Sequence, residues 1–148
     1  MAQNFLIRVS RAKLLVVFCL YAALTFADTP PQTLYQRLGG EKTIVQIVEE
    51  TIDRSATDAK TARSFDKINL VNLKKKLVEH FCQLADGPCK YSGDEMKLVH
   101  KGLDITESEF YGMVEHLRMA LDHAQVAESA KNELLKILAP MKRDIVTK

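Results

Sequence analysis

Asp94-Glu95-Met96-Lys97-Leu98-Val99-His100-Lys101-Gly102 places a single imidazole late in a short apolar segment, two residues before a glycine that stops a helix. A neutral imidazole nitrogen is a good ligand for iron or zinc, and a segment of this shape can hold a metal cofactor from one side. A lone histidine near a helix end also serves simply to stabilise the helix C-terminus. Taken alone, His100 leans slightly toward that plainer role, and the rest of the chain has to decide.

The 148 residues suffice for one domain with a real core. Residues 1–27 have the plan of a secretory signal: Arg8, Arg11 and Lys13 form a basic start, and Leu14 to Ala23 is an apolar run too short and too poorly flanked for a spanning helix. Thr25-Phe26-Ala27 offers small residues where signal peptidase reads, which predicts cleavage after Ala27. Cys19 follows Phe18, too large for a lipoprotein cleavage site; the alternative is an uncleaved anchor over residues 14–27. The expected product is exported, periplasmic or secreted, with no stable membrane association after cleavage. Removing the three basic residues of the signal leaves 18 basic against 19 acidic residues. The mature chain therefore has no basic field for nucleic acid. It keeps Cys82 and Cys89, in a compartment where disulfides persist. A bridge is expected if a helix ends between them, since the chain can then fold back to the usual Cα separation. Cys-x6-Cys without a second pair is a poor zinc pattern.

Residues 28–32 read as a linker, and residues 33–148 as the folded domain. Thr33 to Leu38 starts a helix that Gly39-Gly40 breaks, and Glu41 to Ser55 follows with Ile44, Ile47, Val48 and Ile52 at helical spacing. Ala56 to Ile68 is a mostly polar loop whose one aromatic, Phe65, is placed to plug something. Leu70 to Ala85 is predicted helical. Its apolar face carries Leu70, Leu73, Leu77, Phe81 and Leu84, with His80 at the border and Lys74 and Lys75 opposite. Asp86-Gly87-Pro88 ends it, Tyr91-Ser92-Gly93 turns, and Ser92 or Asp94 can cap the His100 segment. Thr106 and Glu109 form a capping box for a helix with Phe110, Met113, Val114, Leu117 and Leu121 inside. A last helix over about Ala127 to Ile145 should be kinked by Pro140. His116 reads as a hydrogen-bonded core or interface residue and His123 as solvated. With no strand pattern and no repeat, the class is all-α.

Several short motifs stand in one order: Leu34-Tyr35-Gln36-Arg37-Leu38-Gly39-Gly40, Phe65, Gly87-Pro88, Tyr91-Ser92-Gly93, Met96 to Thr106, His116-Leu117-x-x-Ala120-Leu121 and Ala139-Pro140. In that order and spacing the chain resembles a group I truncated hemoglobin from Thr33 to about Val146. The resemblance implies a two-over-two helical sandwich around heme b. It implies His100 as the proximal iron ligand and Phe65 as the aromatic on the porphyrin face. It places Met96, Leu103, Ile105, Phe110 and Met113 at proximal and edge contacts, and Tyr91 and Lys97 near the propionates. An apolar wall beside His100 and a plugging Phe65 tip its role from capping to ligation.

The distal side departs from the family pattern. Where group I members usually have a Tyr this chain has Ile52, and where they often have a Gln the two positions are Leu73 and Leu77. None can donate a hydrogen bond, a loss of about 1–3 kcal/mol for a partly negative bound gas. Two residues remain as donors or ligands. Lys76 could reach over the iron, though a solvated or propionate-pairing lysine is favoured, and His80 lies farther back, with a boundary role equally open. The resemblance thus implies a protein that binds dioxygen or another small gas. The alternatives are a nitric oxide dioxygenase, with a reductase as partner, an electron-transfer protein with Lys76 as sixth ligand, and a helical binding module without heme.

The signal reading has a direct check. N-terminal sequencing of the protein from its native or a bacterial host should begin at or near Asp28. A protein that starts at Met1 and fractionates with the cytosol overturns it.

Overall fold

Thr33 accepts a hydrogen bond from Gln36 N while the Gln36 side chain accepts from Thr33 N, a reciprocal cap that starts α1, Leu34–Arg37. The computed structural model describes residues 31–148; the signal segment and most of the linker lie outside the described residues. Gly39 and Gly40, with φ of 93° and 73°, turn the chain straight into α2, Gly40–Thr57. That helix runs two residues past the predicted Ser55. It buries Ile44, Ile47, Val48, Thr51, Ile52 and Ser55, and the Thr51 hydroxyl is satisfied by the Ile47 carbonyl at 2.7 Å.

A 3-10 turn, Ala62–Phe65, interrupts the loop, and Asn69 caps α3, Leu70–Leu84. Only the far end of α3 is fully buried, at His80, Phe81 and Cys82; Leu70, Leu73, Leu77 and Val78 lie partly buried against the core. α4, Met96–Val99, is a single turn that carries His100 at its C-cap. Its N-cap is Glu95, with no side-chain cap, which corrects the expectation for Ser92 or Asp94. Ser92 is instead drawn to Glu79 on α3, 2.6 Å from hydroxyl to carboxylate.

The Thr106–Glu109 capping box forms as expected and opens α5, Glu107–His123. The predicted last helix divides into α6, Glu128–Leu138, a 3-10 turn, Ala139–Met141, and α7, Lys142–Ile145. Pro140 is the cause, since its ring and missing N–H cannot continue an α-helix. α2 packs against both α5 and α3, α1 touches α2 and α6, and α4 lies against α7. Leu38, Ile44, Ile47, Val48, Ile52, Leu121 and Leu134 form the fully enclosed centre. Each such side chain contributes about 1.5–3 kcal/mol by leaving water. Lys131, 5% exposed, keeps its charge by pairing with Asp122 at 2.5 Å and with Glu128. Among the described residues there is no strand, and no helix is long and apolar enough to cross a membrane.

Cys82 and Cys89 are bridged, their Cα atoms 5.7 Å apart. A Cβ at Gly87 would stand 2.6 Å from the Cys82 sulfur and 2.6 Å from the Tyr35 ring, so the return past the helix end admits only glycine. In urea, Cys89→Ala should lose about 2 kcal/mol of stability, the loss the parent shows on reduction. Equal stability of parent, variant and reduced parent would refute a stabilising bridge.

Candidate functional site

The imidazole of His100 is held from within its own turn. Nδ1 lies 2.7 Å from the Met96 carbonyl oxygen. A carbonyl can only accept, so Nδ1 carries a proton and Nε2 is the nitrogen left to serve as a ligand. That is the arrangement of a metal-binding histidine, with one nitrogen fixed by a backbone carbonyl and the other available as ligand. Met96, His100 and Leu103 are half-buried, while Leu98 and Val99 are 60% and 43% exposed, so one side of the segment faces inward.

Four of the residues singled out by sequence, His80, Tyr91, Met96 and Lys97, line one cleft of about 440 Å3, together with Met141 and Asp144. The His80 and Tyr91 rings pack at 4.7 Å with a 37° tilt. Burial pushes the His80 imidazole below its ordinary pKa, which keeps it neutral at pH 7. The Tyr91 hydroxyl donates to the Asp94 carbonyl at 2.9 Å. Burial, then the charges of Asp94 and Glu79, push that phenol upward.

The other sequence-singled residues, His100 among them, do not line this cleft. Ile52 is completely enclosed in α2, and Leu73, Leu77, Phe65 and Met113 pack partly buried on the same core. Ile105 is buried, and Leu103 and Phe110 are half-buried. The Lys76 amine donates to the Ser92 carbonyl at 3.1 Å and to its hydroxyl, with Glu79 3.6 Å away. His116 lies outside the site, its Nδ1 3.0 Å from the Ser55 hydroxyl, and exposed His123 meets Glu50 at 2.7 Å.

Sequence reading did not find Met141 and Asp144 in the cleft, nor the role of Glu109 beyond its cap. Met141 was visible only as one apolar residue of the last helix, and Asp144 gave no signal. Glu109, 7% exposed, receives hydrogen bonds from Arg63, Ser64 and Thr106. Burial opposes its charge, but these donors, led by the Arg63 guanidinium, outweigh it and hold the carboxyl at a pKa of about 2.

Comparison with known proteins agrees with this geometry. Residues 33–147 match the family described as bacterial-like globin. The chain is similar to a group 1 truncated hemoglobin of Mycolicibacterium paratuberculosis, 34% identical over 122 residues, 82% of this chain and 90% of that one. It is 35% identical over 107 residues to a group 1 truncated hemoglobin of Nostoc commune, covering 71% of this chain and 90% of the relative. Its fold matches the crystal structure of the Fe(III) form of truncated hemoglobin from Tetrahymena pyriformis with a TM-score of 0.75 at 26% identity, over 79% of this chain and 100% of that one. With helices, glycine breaks and the His100 turn all falling in the matched region, the chain belongs to the bacterial-like globin family, among the group 1 truncated hemoglobins.

Proposed function

We propose that this chain binds heme b with His100 as the iron's protein ligand, and holds dioxygen or another diatomic gas beside apolar residues Ile52, Leu73 and Leu77. One observation carries the reading: the His100 Nδ1–H donates to the Met96 carbonyl at 2.7 Å and leaves Nε2 as the ligating nitrogen. The donor set suits heme iron, one neutral imidazole with apolar and aromatic neighbours rather than a cage of carboxylates or thiolates. Among the described residues no cluster of His, Cys, Asp and Glu is grouped to hold a metal ion without a cofactor.

Heme, when bound, supplies an iron with a coordination position open to a small gas. The chain supplies the rest. Phe65, Met96, Leu103, Ile105, Phe110 and Met113 would hold the porphyrin by apolar contact, and Tyr91 and Lys97 would stand near its propionates. Ile52, Leu73 and Leu77 would keep water out but donate no hydrogen bond, which favours carbon monoxide over dioxygen in relative terms. The engagement of the Lys76 amine by Ser92 and Glu79 supports a gas position free of that lysine. It weighs against electron transfer with Lys76 as a sixth ligand. Nitric oxide dioxygenation is the second reading; it would need a reductase to return the iron to its ferrous state.

The visible spectrum of the purified protein tests the assignment. The parent should take up hemin and give a ferrous spectrum of histidine-ligated heme, and His100→Ala should lose stable heme unless imidazole is added. Unchanged heme retention and an unchanged ferrous spectrum in His100→Ala refute the ligand.

The apolar wall has its own test in the dioxygen release rate, followed by flash photolysis or rapid mixing. Ile52→Tyr adds a donor and should slow release about tenfold or more, the kinetic counterpart of one hydrogen bond near 1.4 kcal/mol. Parent release that is already slow, and that the substitution cannot slow further, refutes it and points to His80 or Lys76 as the donor.

A further inference from the structure

We propose that Arg63 and Glu109 form a clasp that fixes Phe65 and His100 in one frame, which makes both of them positioning residues of the heme site. The inference rests on the heme reading above. Arg63 stands two residues before Phe65 in the 3-10 turn. Its guanidinium donates to the Leu103 carbonyl at 3.2 Å, to the Asp104 carbonyl at 2.9 Å and to the Glu109 carboxylate at 2.7 Å. Leu103 and Asp104 are the third and fourth residues after His100, and Leu103 N donates to the His100 carbonyl at 3.2 Å. Ser64, the neighbour of Phe65, donates its hydroxyl to Glu109 at 2.8 Å. One guanidinium and one carboxylate thereby join the turn that carries Phe65 to the corner that follows His100.

The corner is a defined object for the clasp to hold. The chain reverses there, with Asp104 in the left-handed region at φ 52°. The C-terminus braces it separately: Thr147 N and Lys148 N donate to the Ile105 carbonyl at 2.9 and 3.2 Å, and the Lys148 amine meets Asp104 at 3.0 Å. Glu109 is itself rigid, because its carboxylate accepts from Thr106 N at 2.9 Å and from the Thr106 hydroxyl at 2.7 Å at the start of α5. The arrangement needs arginine. Its planar fork has donors spaced to reach two carbonyls and a carboxylate together, whereas a lysine ammonium is a point charge that cannot span them. A generic surface ion pair has no such requirement, since Arg63 would then be replaceable by any cation.

The test uses hemin-loaded protein in five forms: the parent, Arg63→Met, Arg63→Lys, Glu109→Gln and, as control, Arg37→Met. The control removes the remote Arg37–Glu133 pair. Three quantities are read: hemin transfer to an excess of an apo-globin acceptor, the iron–histidine stretching band of the ferrous protein, and urea stability. Arg63→Met and Glu109→Gln should lose hemin about tenfold faster, as outer partners of a metal site do, and should shift the band. Arg63→Lys should recover urea stability through the retained charge pair while hemin loss stays fast. Arg37→Met should leave hemin loss and the band alone. Should Arg63→Met fail to fold, Arg63→Lys and Glu109→Gln make the same comparison. An unchanged band and unchanged hemin loss in the clasp variants overturn the proposal, as does hemin loss that simply follows urea stability across all five proteins. A parent that takes up no hemin overturns the heme reading instead, and the proposal with it.

Discussion

The hydrogen bond from the His100 ring to the Met96 carbonyl is the constraint on which the site depends. It sets the tautomer, and so decides which nitrogen has a lone pair to offer. It also sets the ring's rotation, because a ring anchored at Nδ1 has little freedom left. The four-residue helix that carries it could not persist alone, since a single turn is well below the length at which an isolated helix holds in water. Its geometry is therefore borrowed: α7 packs against it, and the corner behind it is tied to Arg63 and to the C-terminus.

The other half of the region is held at its edges rather than through its centre. Along α3 the apolar residues Leu70, Leu73 and Leu77 are partly buried, so burial alone fixes this helix less firmly than α2. Cross-links compensate. Lys74 meets Asp53 on α2 at 2.6 Å, Glu79 accepts from Ser92 N at 3.1 Å, and the Gln83 side chain accepts from Tyr91 N at 2.7 Å. The Ser92 hydroxyl and then its backbone N–H hold the Glu79 carboxyl below the usual range, so this lacing stays ionised at neutral pH. Each exposed pair is worth little by itself. Together with the Cys82–Cys89 bridge they fasten α3 to the strand of loop that leads into the His100 turn.

On the proposed reading, the departure from the family pattern lies in a few side chains, not in the fold. The chain keeps a likeness of 34–35% to the two bacterial relatives and the same helical frame as the Tetrahymena protein, and the proposed gas site puts the apolar Ile52, Leu73 and Leu77 where a donor would otherwise stand. A frame held by backbone caps, glycine turns and a buried apolar centre does not depend on the polarity of those positions. Gas preference can therefore change while the architecture stays.

What the residues by themselves determined was everything carried by short-range order. The stripe Ile44, Ile47, Val48 and Ile52, the Thr106–Glu109 box and the break at Pro140 are local patterns whose physical causes act within a turn or two of helix. The inward side of the His100 segment was legible in the same way, and Phe65, the one aromatic of its loop, packs partly buried on the core. The Cys82–Cys89 pairing was legible too, because a helix end and Gly87 lie between the two cysteines. The cap of the His100 turn was misread because Ser92 has a stronger partner in Glu79, thirteen residues away, than the turn could offer. Tertiary structure alone decided that Lys76 spends its amine on Ser92, that Met141 and Asp144 share a cleft with His80, and that Arg63 reaches residues 40 to 46 positions away. Those partners are chosen by how the helices cross, and periodicity along the chain holds no record of a contact made across it.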